Sequence, residues 1–283
     1  MKINWFLCGA LIISPINGLL HAEFENLRFH KTKDTLSKIQ EIIKNKQKGA
    51  YLRFGDGEIV IALGQGAIEQ HPNQALTLEM REALAMNGPT ILKTLPIYCP
   101  EFGGFEPGML PGYCESPYSW CLDMLRKAKP FWNSEIRDVY SHAALLFAAN
   151  QYPDECIEFL KFLKKSNCCL FIGNQNVPEH IRDLLFGSKC IFIPTAAHSC
   201  YRDIDAIERN VLKKIPKDDT YKVIITSMGP TSKALQKRLW SKLDNVFLFD
   251  LGSIMDALCG WNTREWIEVT KFDRNAFITK LII

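Results

Sequence analysis

The stretch Ala50-Tyr51-Leu52-Arg53-Phe54-Gly55-Asp56-Gly57-Glu58 carries the strongest structural signal of this chain. Its apolar start is typical of a buried strand, and the glycines that follow predict a turn at the end of that strand. Gly55 and Gly57 permit backbone angles and close approaches that side chains forbid, so Asp56 and Glu58 are expected to point to the same place. The stretch therefore predicts an acidic site at a strand end.

Two converging carboxylates suit a hard divalent cation. Mg²⁺ and Mn²⁺ prefer oxygen ligands and keep coordination positions open for water or a substrate phosphate. Asp56 and Glu58 are therefore the predicted metal ligands, and Arg53 would hold a phosphate or position a carboxylate. A short Asp-x-Glu pattern also occurs in turns whose charges are merely solvated, and the pattern alone does not decide between the two interpretations.

Strand-like segments recur along the chain with helical patterns between them, which indicates βα units and a mainly parallel sheet. The predicted strands lie at 51–54, 90–95, 139–142, 169–173, 190–194, 223–227 and 246–250. Apolar residues at helical spacing predict helices at 35–46, 154–165 and 203–213. The predicted fold is a single α/β domain with a Rossmann-like, mainly parallel sheet flanked by helices.

The motif Arg53-Phe54-Gly55-Asp56-Gly57-Glu58 after a hydrophobic strand resembles the signature of the GT-D-type glycosyltransferases, in which an Asp-x-Glu element serves a nucleotide-sugar site. Later elements resemble that family in the same order, over roughly residues 35–265: Leu170–Asn174, Ile193-Pro194, Ser227–Lys233 and Phe249–Gly252. One departure is the run Ala196-Ala197-His198-Ser199-Cys200-Tyr201, which stands where an Asn-Ala-Tyr-like run is expected. The expected Asn is therefore absent from this segment.

A second strand end, after 223–227, predicts an anion-binding element. Gly229 ends the strand, and Pro230 suits the first turn of a helix. The leucines at positions 235, 239 and 243 would lie on one face of that helix. The N–H groups and dipole of a helix start favour an anion, here the diphosphate of a nucleotide sugar. A purely structural turn explains the same pattern. The residues assigned to this element are Gly229, Pro230, Thr231, Ser232 and Lys233.

Ligands of open α/β sheets bind beyond the carboxyl ends of the strands, where these motifs fall. Asn174 ends another predicted strand and carries an amide able to read a base or ribose, although loop asparagines usually just form turns. With Arg53, Gly55 and Gly57 it completes the predicted nucleotide site.

The resemblance implies an enzyme that moves a sugar from a nucleotide-activated donor, a UDP-sugar first, to a glycan or glycoprotein acceptor with Mn²⁺ or Mg²⁺. The leaving diphosphate needs charge stabilisation, and an inverting mechanism needs a general base. Four side chains follow or end predicted strands and are candidates for that base, and the sequence does not rank them: His142, His198, Asp250 and Asp256. The predicted catalytic group is Asp56, Glu58, His198 and Asp250.

Two other interpretations stay open at this point. A Rossmann-like methyltransferase that uses S-adenosylmethionine also places glycines and acidic residues after its first strands, although its usual Gly-x-Gly-x-x-Gly run is not evident. A non-enzymatic secreted or surface protein could retain the fold for binding alone.

Composition favours a compact catalytic domain. With 283 residues, 47% hydrophobic and 23% charged, the chain is long and apolar enough to bury a sizeable core. The net charge of +3 is small and the basic residues are scattered, so a nucleic-acid partner is not expected.

The N-terminus resembles a secretory signal peptide, because Lys2 precedes an apolar run that a small residue, Ala22, ends. At ~16 residues the run is short for a membrane span of ~20. We expect residues 1–22 to be a cleaved signal peptide, with a membrane anchor or a packed helix as alternatives, and residues 23–283 to form the domain. The expected location is the secretory pathway or the exterior.

The cysteines and one loop complete the expectations. Cys168, Cys169 and Cys190 lie in apolar runs and are expected to be buried free thiols. A disulfide is expected among Cys99, Cys114 and Cys121 only if the compartment is oxidising, and no cysteine pair has zinc-finger spacing. The glycine- and proline-rich segment 98–117 is expected either to cover the active site or to pack as a surface excursion.

Overall fold

The computed structural model describes residues 27–67, 70–96, 118–132, 135 and 137–283. Within these residues, eight strands form one sheet in the order β1-β4-β3-β2-β8-β7-β5-β6, and all neighbouring pairs are parallel. The strands are β1 Arg28–Phe29, β2 Gly49–Leu52, β3 Ile91–Leu95, β4 Asp138–Ser141, β5 Cys168–Asn174, β6 Ile191–Thr195, β7 Lys222–Ser227 and β8 Val246–Asp250. The predicted α/β fold with a parallel sheet is confirmed.

Helices connect the strands and cover both faces of the sheet. They are α1 Thr32–Lys44, α2 Asp56–Ala62, α3 Gln74–Ala85, α4 Tyr118–Ala128, α5 Ala144–Gln151, α6 Pro153–Lys165, α7 Glu179–Phe186, α8 Ile204–Lys214, α9 Thr231–Trp240, α10 Ile254–Cys259, α11 Glu265–Val269 and α12 Arg274–Ile282. Short 3₁₀ turns lie at Lys129–Phe131 and Cys200–Asp203. None of the described helices is long and apolar enough to cross a membrane.

Two hydrophobic clusters lie on opposite faces of the sheet, because successive strand residues point to opposite sides. Phe247 and Phe249 belong to the cluster beneath α1, α5, α6 and α10, whereas Val246 and Leu248 belong to the cluster beneath α2, α3, α8 and α9. Strands β2 and β8 are neighbours, yet the helices that follow them, α2 and α10, lie on opposite faces. A crevice for a ligand is expected between two such strand ends.

All seven predicted strands and the predicted helices are present, with ends shifted by a few residues. The two-residue strand β1 was missed, and Leu243 lies beyond the end of α9 rather than on it. The predicted signal peptide 1–22, the segment 98–117 and the cysteines at 99 and 114 lie outside the described residues.

The prediction of free thiols on the β5 and β6 side is confirmed. Cys168 and Cys169 are buried, Cys190 is partly buried, and none of the three forms a disulfide within the described chain. Burial raises the pKa of the Cys169 and Cys190 thiols to about 12, so both are un-ionised near neutral pH.

Candidate active site

The two acidic residues of the motif lie in the first turn of α2, which begins at Asp56 directly after β2. Residues two apart on a helix point about 200° apart, so the two carboxylates face different sides. Asp56 is exposed, whereas Glu58 is buried and its Oε2 accepts the N–H of Gly55 at 2.8 Å. This corrects the expectation that both carboxylates point to one place, since the stretch is a capped helix start rather than an open turn.

Gly55 is needed for close packing rather than for its backbone angles. A Cβ atom at Gly55 would lie 2.9 Å from Nε2 of His142 and 3.0 Å from Oε2 of Glu58. At Gly57 the nearest atom to such a Cβ would be that of Ala67 at 3.6 Å, which is an ordinary contact. Neither glycine has a positive φ, so the predicted need for unusual backbone angles is wrong at both positions.

An ion cluster joins three neighbouring strand ends at the crevice. Lys233, in the first turn of α9 behind β7, places Nζ 2.7 Å from Oε1 of Glu58 and 2.7 Å from Oδ2 of Asp250, the last residue of β8. The ammonium also donates to the carbonyl oxygen of Gly229 at 3.2 Å. Lys233 is 3% exposed, Asp250 1% and Glu58 9%. We call these three residues the Lys233 cluster.

The charges of the Lys233 cluster act on neighbouring ionisable groups. Burial alone would raise the pKa of Glu58, but the Lys233 ammonium, the Gly55 N–H and Arg53 outweigh it and hold that pKa below its usual range. Burial, with Arg53 and Lys233, lowers the pKa of His142 well below the usual value. Glu58 is therefore an anion and His142 a neutral imidazole at physiological pH.

Arg53 follows β2 and contacts the segments that follow β4 and β8. Its Nε donates to the carbonyl oxygen of His142, just after β4, at 2.8 Å. A Cβ atom at Gly252 would lie 1.4 Å from Nη1 of Arg53, and Gly252 has a φ of +69°, so only glycine fits beside this guanidinium. Arg53 therefore lies across the ends of β4, β2 and β8 with its charge at the crevice.

The predicted anion-binding element lies at the crevice, but its side chains are largely engaged within the protein. Gly229 has a φ of +55°, which allows the chain to turn from β7 into α9. Thr231 and Ser232 are buried, and Oγ of Ser232 accepts the N–H of Met228 at 3.1 Å. The structure thus places Lys233 on carboxylates rather than facing solvent, and Pro230 directly precedes the helix.

Asn174 and His198 lie farther along the same edge of the sheet. Oδ1 of Asn174, at the end of β5, accepts the N–H of Asn176 at 3.0 Å, as a turn-forming asparagine does. His198 is exposed in the segment after β6. Burial raises the pKa of Asp256, against the opposing effects of a 2.5 Å hydrogen bond from Thr263 and the charge of His198, so His198 and Asp256 lie within electrostatic reach.

Comparison with known proteins identifies the family of the chain. A family model described as the glycosyltransferase GT-D fold matches residues 51–268, more than half of the 283 residues. The chain belongs to this GT-D family. The expected family is thereby confirmed, and so is the expected enzyme class, a glycosyltransferase with a sugar donor and an acceptor. The methyltransferase interpretation is set aside.

Solved structures show the same GT-D fold. One is the domain of unknown function 1792, described as having a distinct glycosyltransferase fold, with 17% identity, a TM-score of 0.59, and coverage of 84% of this chain and 83% of that chain. Another is a glycosyltransferase of the same domain type from Streptococcus sanguinis, with 19% identity, a TM-score of 0.57, and coverage of 81% and 83%. No curated protein matches the sequence.

The sequence offers no signal for one further residue near the acidic motif, Arg264. It lies between α10 and α11, next to Thr263. Burial and the like charge of Arg53 lower its pKa, while Glu58 and Asp56 act in the opposite direction, so its guanidinium lies within electrostatic reach of all three. No motif surrounds Arg264, and only the folding of the C-terminal segment over the crevice brings it there.

The two carboxylates of the acidic motif differ in how they are engaged. Asp56 is exposed, and its Oδ1 accepts the N–H of Gly57 at 2.9 Å. Glu58 uses one oxygen for the Gly55 N–H and the other for Lys233. Among the described residues, no group of three or more His, Cys, Asp and Glu side chains is arranged to hold a metal. Asp56 is therefore more open to a cation than Glu58, and the predicted metal at these two residues stays a prediction.

Proposed function

We propose that the protein transfers a sugar from a nucleotide-activated donor, a UDP-sugar first, to a hydroxyl of a glycan or glycoprotein at the crevice between β2 and β8. The observation that carries the proposal is that Arg53 and the Lys233 cluster lie together at the carboxyl ends of neighbouring parallel strands, with Asp56 in the same helix start as Glu58. In open α/β sheets this is the place where nucleotides bind.

The donor's diphosphate is the part that these residues suit best. Arg53 and Arg264 bring two guanidinium groups into mutual electrostatic reach, and an anion between two like charges relieves their repulsion. Guanidinium groups also match phosphate oxygens with paired hydrogen bonds. We assign both arginines to the diphosphate, where they stabilise the negative charge that develops as the bond to the anomeric carbon breaks.

A divalent cation, Mn²⁺ or Mg²⁺, belongs to this proposal through Asp56. When bound there together with the diphosphate, it would supply Lewis-acid stabilisation of the leaving group. Glu58 fixes the start of α2 instead, through the Gly55 N–H and Lys233, and so holds Asp56 at the rim of the crevice.

His198 is better placed than Asp250 to act as the general base that takes the proton of the acceptor hydroxyl. Asp250 is buried and paired with Lys233, so a base there would have to break that pair. His198 is exposed, and Asp256 can orient its imidazole and stabilise the cation formed when it takes a proton. Replacing His198 with Asn should lower kcat while leaving the KM for the donor unchanged, and an unchanged kcat would remove this assignment.

We propose that the protein enters the secretory pathway, because residues 1–22 resemble a signal peptide. A segment like 1–22 would direct the protein to a secretory compartment, where it would need a supply of nucleotide sugars and would meet glycans and glycoproteins. Fractionation of cells that express the full chain tests this directly, and a protein found only in the cytosol would overturn the proposed location.

Calorimetric titration of the full chain with UDP, with and without Mn²⁺, tests the donor assignment. We expect Mn²⁺ to strengthen UDP binding, and Asp56→Asn to weaken the Mn²⁺-dependent binding at least tenfold. The matched control is Asp34→Asn, because Asp34 is also an exposed carboxylate in a first helical turn, that of α1. Wild-type protein that binds no UDP in either condition would overturn the UDP assignment.

A further inference from the structure

The ammonium of Lys233 lies among three oxygen atoms. Its Nζ forms ion pairs with Oε1 of Glu58 at 2.7 Å and Oδ2 of Asp250 at 2.7 Å, and it donates to the carbonyl oxygen of Gly229 at 3.2 Å. The side chain is 3% exposed, so solvent does not compete for these contacts. A lysine held in this way does not reach out to a substrate phosphate.

The two carboxylates around Lys233 are also occupied on their other oxygens. Glu58 accepts the N–H of Gly55 at 2.8 Å, and Asp250 accepts the N–H of Gly252 at 3.2 Å. A metal ion on either carboxylate would have to share its oxygens with these contacts. It would also lie beside a buried positive charge, where repulsion is strong because the surrounding dielectric is low.

We propose that the Lys233 ammonium is the permanent cation of this acidic site, occupying the place between Glu58 and Asp250 where a metal would otherwise bind. Glu58 is then a positioning residue, and Asp56 is the one metal ligand of the Asp-Gly-Glu motif. A single carboxylate holds a divalent cation weakly, so the cation binds firmly only when a nucleoside diphosphate supplies further oxygen ligands. This last consequence rests on the proposed function.

Electron paramagnetic resonance of free Mn²⁺, recorded with the full chain, tests the proposal without measuring activity. Without nucleotide, wild type should bind Mn²⁺ no tighter than about 10⁻⁴ to 10⁻³ M, the range of weak oxygen-ligand sites. With UDP, binding should tighten at least tenfold. Asp56→Asn should lose that gain, and Glu58→Gln should keep it within threefold. Glu58→Gln that folds normally and loses as much as Asp56→Asn would overturn the proposal.

The second part of the test looks for a gain of Mn²⁺ binding when the Lys233 ammonium is removed. Lys233→Met removes the ammonium and leaves Glu58 and Asp250 facing an empty position, so this variant should bind Mn²⁺ at least tenfold more tightly than wild type without nucleotide. If the variant unfolds, Mn²⁺ should restore its circular dichroism, and failure to do so counts against the proposal. Equal Mn²⁺ binding by folded wild type and variant would also overturn it.

The two parts of the test separate this inference from the proposed function. If UDP binds to no form of the protein, the donor assignment fails, while the comparison of Lys233→Met with wild type in Mn²⁺ alone still decides the role of Lys233. If UDP binds as expected but Lys233→Met gains no Mn²⁺ binding, the donor assignment stands and the role of Lys233 fails.

Discussion

Two lysines buried in this fold have opposite surroundings. Lys233 is 3% exposed and contacts two carboxylates at the carboxyl edge of the sheet, whereas Lys93, on β3, is 1% exposed. Lys93 donates to the carbonyl oxygen of Leu84, and its Nζ lies 4.3 Å from the centre of the Trp132 ring. Burial lowers the pKa of Lys93 to about 7.

The difference shows what makes a buried lysine part of a site. Around Lys93, a carbonyl oxygen and an aromatic ring replace only part of the hydration that an ammonium loses on burial. The neutral amine is therefore populated near pH 7. Around Lys233, the opposite charges of Glu58 and Asp250 offset that loss, and the three groups depend on one another. Removal of the two lysines should therefore change stability in opposite directions.

The largest expected effect is that of Lys233→Met. Removing one partner of a buried ion cluster leaves uncompensated charge, which costs about 3–5 kcal/mol of unfolding free energy. Urea denaturation near pH 7 measures this loss. Acidification should narrow the gap between variant and wild type, because it protonates the carboxylates that the variant leaves unpaired. A loss below about 1 kcal/mol would show that the cluster contributes little to stability.

Lys93→Met should stabilise the protein, by about 1–3 kcal/mol at pH 7, since the gain from removing a buried amine exceeds the loss of its bond to Leu84. The folded pKa is about 7 and the usual value 10.5, so between these values the unfolded chain binds more protons and wild-type stability rises with pH. The advantage of the variant should therefore shrink by about 1.5 kcal/mol from pH 7 to 8.5.

Denaturation curves of wild type and Lys93→Met over that pH range check both the sign and the slope. As the thiols of the unfolded chain ionise, the buried thiols, whose pKa values are raised, add a dependence of opposite sign, but it is the same in both proteins and cancels from their difference. A constant difference between the two proteins would mean that Lys93 stays charged in the fold.

The strands and the place of the site could be predicted from the sequence, whereas the surroundings of these lysines could not. The strands were predictable because short apolar runs that alternate with helical patterns are typical of the buried strands of a parallel sheet. The place of the site followed from the rule that ligands bind at carboxyl ends of strands. Gly55 and Glu58 have the spacing of a capped helix start, and that signal could have shown that the two carboxylates diverge.

Other site features had no local signal. Lys233 was assigned to a phosphate because a helix start favours anions, but one carboxylate partner, Glu58, is far away in sequence and the other, Asp250, ends the next strand. Arg264 follows no motif and reaches the crevice only through packing of the C-terminal helices. Long-range pairing of charges depends on tertiary structure, and periodicity does not encode it.

Substitution of the motif glycines probes how tightly the Lys233 cluster is packed. Gly55→Ala puts a methyl group within 3.0 Å of both His142 and Glu58, and overpacking of this kind costs about 1–3 kcal/mol. Gly57→Ala is the matched control, because its methyl group has room and alanine favours the helix by about 0.5–1 kcal/mol. Thermal melts should therefore move in opposite directions, and equal shifts would contradict the packing derived for Gly55.

The smallest effect is expected at a third buried lysine, which lies between the two extremes. Lys222 is 5% exposed and contacts the Asp218 carboxylate at 2.9 Å and the carbonyl oxygens of Asp218 and Thr220 at 2.5 and 2.7 Å. Because the Asp218 side chain is 57% exposed, water screens this pair and solvates the carboxylate once the lysine is gone. Lys222→Met should cost about 1 kcal/mol in urea denaturation, well below the loss at Lys233. A loss as large as that of Lys233→Met would mean that burial of the lysine, rather than burial of its carboxylate partners, sets the cost.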